Sequence, residues 1–391
     1  MKSAVVAFES VPSSSAPRQP ASVVGTSPAQ RIPAFDYLRV FVIFLVVLHH
    51  AVFAYCADGQ PAHGGGYTNG SAPVVDGAQW AGFNAMVRWN DSFFMPLMFL
   101  LAGLFVRPSL ERKGLARYFA DRALRLGVPL LVGIATVVPV SYYAAYLQGG
   151  GTTGFAAFWA KMVTTGPWPS GPLWFVGALL VFDLVTVLLL TRASVQRLTA
   201  ALDRRSPAAW FVLFVALAAL AYLPAQAALG SSFWLTAGPF GIQASRIGLY
   251  AVFFVAGVIV GADRLTSGLA HHWLRWPLLA VIATALLFSA SLPAWTDSLV
   301  MVLFATAMAA GLLAVAVRLG RKRSPVGDSL SANAYGIYLV HWPIVLWLQF
   351  ALLRLRLGAI EKGMLVLTSG FALSWLASGL LRRLPRVARI V

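Results

Sequence analysis

Arg39 and His50 stand eleven positions apart in a stretch that is otherwise almost wholly apolar, with Asp36 three residues before the arginine and His49 beside the second histidine. Ionisable side chains inside an apolar segment of membrane-spanning length are costly and are functional by default. On a helix, at about 100° per residue, Arg39 and His50 fall within roughly 20° of one face, and Asp36 lies about 60° from Arg39 on the same side. The rise separates the arginine from the histidine by about 16 Å. Such a stripe has a cationic end suited to an anionic, phosphate-bearing thiol cofactor. At its other end is an imidazole suited to act as general base towards a hydroxyl. The competing reading is structural: Asp36 and Arg39 pair at the interface, and the histidines hydrogen-bond within a bundle.

A stripe of this kind needs a membrane-spanning helix, and the composition supplies that setting. Of 391 residues, 59% are hydrophobic and 11% charged, more apolar surface than a soluble fold of this size can bury. Apolar stretches of about 20 residues recur from Ala34 to Leu381 between Arg-rich or Gly/Pro-rich segments, the pattern of repeated spans. The spacing predicts an all-α, polytopic membrane helical bundle of about ten transmembrane helices. They are expected at about 34 to 56, 82 to 106, 126 to 147, 173 to 191, 208 to 223, 246 to 262, 276 to 292, 298 to 317, 333 to 353 and 363 to 381. Residues 1–33 are rich in Ser, Pro and Ala and read as a disordered cytoplasmic tail rather than a cleaved signal. Residues 34–381 form the transmembrane domain, and 382–391 a basic cytoplasmic tail.

The formal net charge of +17 would suggest a nucleic-acid partner in a soluble protein. Here its placement points to the lipid bilayer instead. With the N-terminus inside, cytoplasmic segments hold 23 of the 30 Lys and Arg, outer segments hold 6, and Arg39 lies within the first span. That asymmetry puts both termini in the cytoplasm. The single cysteine, Cys56, excludes an internal disulfide and any multi-cysteine metal site, and reads as a small apolar residue near a helix end. The six histidines, among them His271 and His272 in a cytoplasmic loop, show no zinc spacing, so no metal is expected.

Three further groups carry potential chemistry. Arg122 and Arg125 lie three apart at a predicted helix start, where both guanidiniums can face one phosphate cluster; the alternative is ordinary cytoplasmic anchoring. His341 falls near mid-membrane between Tyr338 and Trp342-Pro343, where the proline frees a backbone carbonyl and favours a kink. The outer segment Gly166-Pro-Trp-Pro-Ser-Gly-Pro-Leu-Trp-Phe175 places Trp168 and Trp174 either in an interfacial aromatic belt or on a platform for a carbohydrate. Asp183, midway through the fourth span, has no basic partner nearby in sequence, and its role is open.

Several segments together resemble the acyltransferase type 3 superfamily of membrane acyltransferases. They are Phe35-Asp-Tyr-Leu-Arg39 with His50 after ten intervening residues, and Ser92-Phe-Phe-Met-Pro-Leu-Met-Phe-Leu-Leu-Ala-Gly103. Arg122-Ala-Leu-Arg125 before Gly127-Val-Pro129, Pro172-Leu-Trp-Phe175, and Asn333-Ala-Tyr-Gly-Ile-Tyr-Leu-Val-His-Trp-Pro343 follow in order. The likeness spans most of the chain and is nearest to the glucan biosynthesis protein C branch and to transacylases associated with bacterial cellulose synthesis. It implies transfer of an acyl group from cytoplasmic acyl-CoA to a hydroxyl of an envelope or secreted polysaccharide at the bacterial inner membrane. No permanently bound cofactor is implied, and a polysaccharide synthase complex is a partner of the kind expected. By match of position, His50 would be the catalytic base, with Arg39 and Asp36 completing the first-helix motif. Arg122 and Arg125 would contact acyl-CoA, and His341, Tyr338 and Trp174 would face the acceptor glycan. Where family members often have Ser-Gly at the end of the second span, this chain has Ala102-Gly103. The alternatives are a transporter or flippase for an anionic metabolite or lipid-linked sugar, with the stripe as a permeation path, and a structural subunit of a polysaccharide synthase.

Overall fold

The computed structural model describes residues 33–190, 200, 206–231, 233–238, 240–270, 273–289, 293–320 and 322–390. The expected N-terminal tail, except Pro33, and His271 and His272 lie outside the described residues. Among those described, nine helices are long and apolar enough to cross a membrane: Pro33–Phe53, Ala81–Lys113, Leu115–Gln148, Gly171–Leu189, Ala208–Leu229, Ala244–Ala262, Trp295–Leu319, Pro325–Leu352 and Ala359–Leu381. A shorter apolar helix, Arg275–Leu287, stands between the sixth and seventh of these. Counted in chain order with that short one as seventh, the ten helices occupy the ten expected positions, and the protein is a polytopic helical membrane protein.

The helices differ from expectation in ways with local causes. The second is assembled from the segments Ala81–Asp91, Phe94–Gly103 and Val106–Lys113. The third begins earlier than expected, at Leu115, and passes through a π-helical turn, Ala123–Gly127, immediately after Arg122. The fifth runs six residues past its expected end, straight through Pro224, and the ninth likewise runs through Pro343 without interruption. Proline is tolerated inside membrane helices because neighbouring groups satisfy the freed carbonyl. Two regions expected to be loop carry structure: the helix Phe155–Thr165 and a hairpin in which Trp234–Ala237 pairs antiparallel with Phe240–Gln243. Beyond Leu381 the basic tail continues as short turns, including Val387–Arg389.

Lipid gives helices no hydrophobic drive to associate, so close packing and interhelical hydrogen bonds must hold the bundle. The second and sixth helices illustrate the first device. A Cβ on Gly103 would lie 2.1 Å from the Phe254 carbonyl oxygen, and one on Gly257 would lie 2.3 Å from that of Leu100. Only glycine at both positions permits this backbone approach.

The second device surrounds the first helix, which packs against the second, eighth, ninth and tenth. Asn90 donates to the Leu45 carbonyl at 2.8 Å, and Gln349 donates to the carbonyls of His50 and Ala51 at 2.7 and 3.1 Å. At the opposite end of that helix, Tyr37 donates to Asp328 at 3.0 Å and accepts from the Ser324 backbone at 2.9 Å. Ser324 also caps the ninth helix by accepting from the Gly327 amide. The first helix is thereby fixed at both ends against the ninth.

The loop after the first helix is similarly tied. Asp76 and Lys362 form an ion pair at 2.7 Å with both side chains buried, and Gln148 makes paired hydrogen bonds with the backbone of Val75. Burial pushes the Cys56 thiol up to about 11, consistent with a packed rather than a nucleophilic thiol. The Tyr67 hydroxyl donates to the Pro167 carbonyl at 3.1 Å, and burial raises its phenol.

Candidate active site

The fixed first and ninth helices bring together two histidines 291 residues apart: His50 Nδ1 lies 3.0 Å from His341 Nε2, with the rings stacked at 5.1 Å. His341 is fully buried, and its Nδ1 lies 2.6 Å from the Tyr338 carbonyl oxygen. A carbonyl only accepts, so in the neutral pair His341 carries its proton on Nδ1 and presents Nε2 as an acceptor. His50 then donates from Nδ1, which leaves its Nε2 as the basic nitrogen. This is the logic by which a base is oriented and held in one tautomer by a second group.

His50 lines a cavity of about 420 Å³, within the rough 300–1,000 Å³ range of small-ligand sites. Trp342 closes one side with its ring edge against His50 at 4.6 Å. Trp174 forms another wall, 5.6 Å from Tyr250 and 6.1 Å from Trp234 of the hairpin. The segment from Trp168 to Pro172 also lines the space, and Tyr338 donates to the Pro172 carbonyl, joining the ninth helix to that segment. The hairpin and the aromatic segment are thus both walls of the cavity.

Of the expected site residues, His50, Tyr338 and Trp174 line this cavity, and His341 stands directly behind His50. Asp36 and Arg39 do not line it. They pair with each other at 3.3 Å near the other end of the first helix, with the Arg39 guanidinium over the Phe105 ring at 5.5 Å. Arg122 and Arg125 are also remote from it. Arg122 packs its guanidinium over Tyr118 at 5.0 Å, with Nε 3.1 Å from Asp183 Oδ2. That contact is off the line of a hydrogen bond, since Oδ2 has no aligned donor. Tyr118 supplies the aligned bond, donating to Asp183 Oδ1 at 2.7 Å. Asp183 therefore has a basic partner, contributed by the third helix. Arg125 is exposed, and its carbonyl accepts from Tyr335 at 2.7 Å. The π-helical turn that follows Arg122 and contains Arg125 replaces the regular turn that would stack the two arginines.

A family described as an acyltransferase domain matches residues 32–383 of this chain. The chain belongs to that acyltransferase family. No curated protein and no solved structure matches it. In this acyltransferase Gly103 of the Ala102-Gly103 pair has a packing role, because a Cβ there would meet the Phe254 carbonyl of the sixth helix. The polar residues of the cavity that were not anticipated as site groups include His49, Asp91 and Gln243. His49 stacks between Phe53 and Phe94, at 5.6 and 5.3 Å, and its Nδ1 is buried without a partner. Asp91 is paired with Arg246 at 2.7 Å. In the sequence, Asp91 lies within the expected second span and Arg246 at the outer end of the expected sixth, and nothing local links them.

Proposed function

We propose that the protein is a bacterial inner-membrane O-acyltransferase that moves an acetyl or succinyl group from cytoplasmic acyl-CoA to a hydroxyl of an exopolysaccharide, cellulose or periplasmic glucan. The observation that carries this reading is the His50–His341 pair facing the aromatic-walled cavity. In the proposed reaction, His50 Nε2 takes the proton of the acceptor hydroxyl as its oxygen attacks the thioester carbonyl. The C–O bond forms, the C–S bond breaks, and the departing thiolate leaves as CoA thiol after taking up that proton. Direct transfer of this kind needs one base and no acyl-enzyme. Positive-inside charge supports an orientation with the cavity outward and Arg39, Arg122 and Arg125 towards the cytoplasm. The pantetheine arm would then reach inward along the first helix. The purified protein is expected to consume acetyl-CoA and to do so faster with an oligosaccharide present. Absence of acyl transfer from any short acyl-CoA would remove the reading.

The proposed donor contact separates into two roles. Arg122 is engaged by buried Asp183 and by Tyr118, whereas exposed Arg125 is available to phosphate. Charge-assisted hydrogen bonds contribute roughly 1.5 to 3 kcal/mol each, so Arg125→Ala should weaken acetyl-CoA binding by about ten- to a hundredfold. Arg125→Lys should restore it only in part, because lysine keeps the charge but loses the planar fork. Titration of acetyl-CoA into the purified variants reads this directly. Unchanged affinity in both would leave Arg125 with membrane anchoring alone.

A further inference from the structure

Besides the histidines, the cavity has one carboxylate among its described lining residues. Asp91 lines it with a side chain 38% exposed, while its partner Arg246 is only 10% exposed and is not among the lining residues. The arginine holds Asp91 twice, through Nη1 to the carboxylate Oδ2 at 2.7 Å and to the Asp91 backbone carbonyl at 3.2 Å. Tyr222 and Tyr250 flank the same guanidinium. The cation is thus behind the carboxylate, and what the cavity presents is the anion. Among the described residues that line it, none is Lys or Arg. The remaining polar lining includes the neutral His50 and the groups of Ser170, Thr236 and Gln243, which contribute hydroxyls and an amide.

We infer that Asp91 is the group that anchors the acceptor in this cavity, and that it selects a neutral polyhydroxylated sugar over an acidic one. This rests on the cavity being the acceptor site of the proposed transfer. A carboxylate accepts from two neighbouring hydroxyls at once, and a bond to an ionised acceptor is about twice as strong as one between neutral groups. The aromatic walls at Trp174 and Trp234 supply the apolar face against which a sugar ring packs. A uronate or phosphorylated sugar would instead bring a second anion towards Asp91 in a lining that offers no facing cation, and like charges at close range repel. Arg246 fixes where the carboxylate points and does not touch the sugar.

The test is a binding titration of detergent-purified protein, read by tryptophan fluorescence, with cellotetraose as the neutral probe and tetragalacturonic acid as the acidic one. Wild type is expected to bind cellotetraose at least about tenfold more tightly than the acid. Asp91→Asn, which keeps shape but loses charge, should weaken cellotetraose binding by about tenfold and narrow the gap between the two probes. A group serving only as the partner of Arg246 would change the unfolding temperature and leave that ratio alone. Wild-type protein that binds cellotetraose with this preference but transfers no acyl group from acetyl-CoA would count against the acyl-transfer chemistry and leave the role of Asp91 standing. Equal or tighter binding of tetragalacturonic acid by wild type, no binding of either probe, or an unchanged ratio in Asp91→Asn would overturn the inference.

Discussion

His50→Ala is expected to lower the rate of acyl transfer by about a hundred- to ten-thousandfold, the range contributed by a positioned general base. Expression and unfolding temperature should stay close to wild type, because the ring faces a cavity and its removal opens that space to water, which can pair with the freed His341 Nε2. His341→Ala should also slow the reaction, by a smaller factor. It removes the acceptor that holds the His50 proton on Nδ1 but leaves the base in place. His49→Ala should be the mildest of the three, since that ring is stacked between Phe53 and Phe94 and is not part of the His50–His341 hydrogen bond. Initial rates from acetyl-CoA to an oligosaccharide, measured on the three purified variants, give the order. A wild-type rate in His50→Ala would remove the base.

Lys362→Met is expected to give the largest loss of stability. The Asp76–Lys362 pair spans 2.7 Å with side chains 3% and 2% exposed, and removing one member leaves a buried charge uncompensated, at a cost of about 3–5 kcal/mol. Asp76 also accepts from the Ala78 amide, and its own amide donates to the Ala54 carbonyl. Its loop therefore loses its attachment to the tenth helix when the pair is broken. Pro73 of that loop lines the cavity, so transfer should fall together with stability. The double variant Asp76→Leu/Lys362→Met removes both charges and should recover most of the lost stability. Thermal unfolding in detergent compares the three proteins. A single variant as stable as wild type would mean that the pair is not maintained in the folded protein.

The helices were legible in the sequence because length and apolarity are local properties. The first helix, read at 34 to 56, runs Pro33–Phe53, and the tenth, read at 363 to 381, runs Ala359–Leu381. Breaks and turns were less so. Pro224 does not end the fifth helix, and the π-helical turn after Arg122 has no simple residue signature. For the site, individual groups were legible and their partnerships were not. His50 was visible as a titratable group in an apolar span, and His341 separately as another, but their contact depends on how the first and ninth helices pack. The same holds for Arg122 with Asp183 and for Asp91 with Arg246, each joined by helices distant in sequence. The hairpin around Trp234 was unexpected because its eight strand residues sit between apolar spans with little alternation of their own.

The central claim is acyl transfer across the membrane, from a donor on the arginine-rich side to an acceptor in the cavity at the opposite side. Its most direct measurement uses proteoliposomes of defined orientation with radiolabelled acetyl-CoA supplied on one side and cellotetraose confined to the other. Labelled oligosaccharide is expected only when acetyl-CoA is on the side of Arg125 and cellotetraose on the side of the Trp234 hairpin, and none is expected from His50→Ala. Equal product with donor and acceptor reversed, or product only when both share one side, would contradict transfer across the membrane.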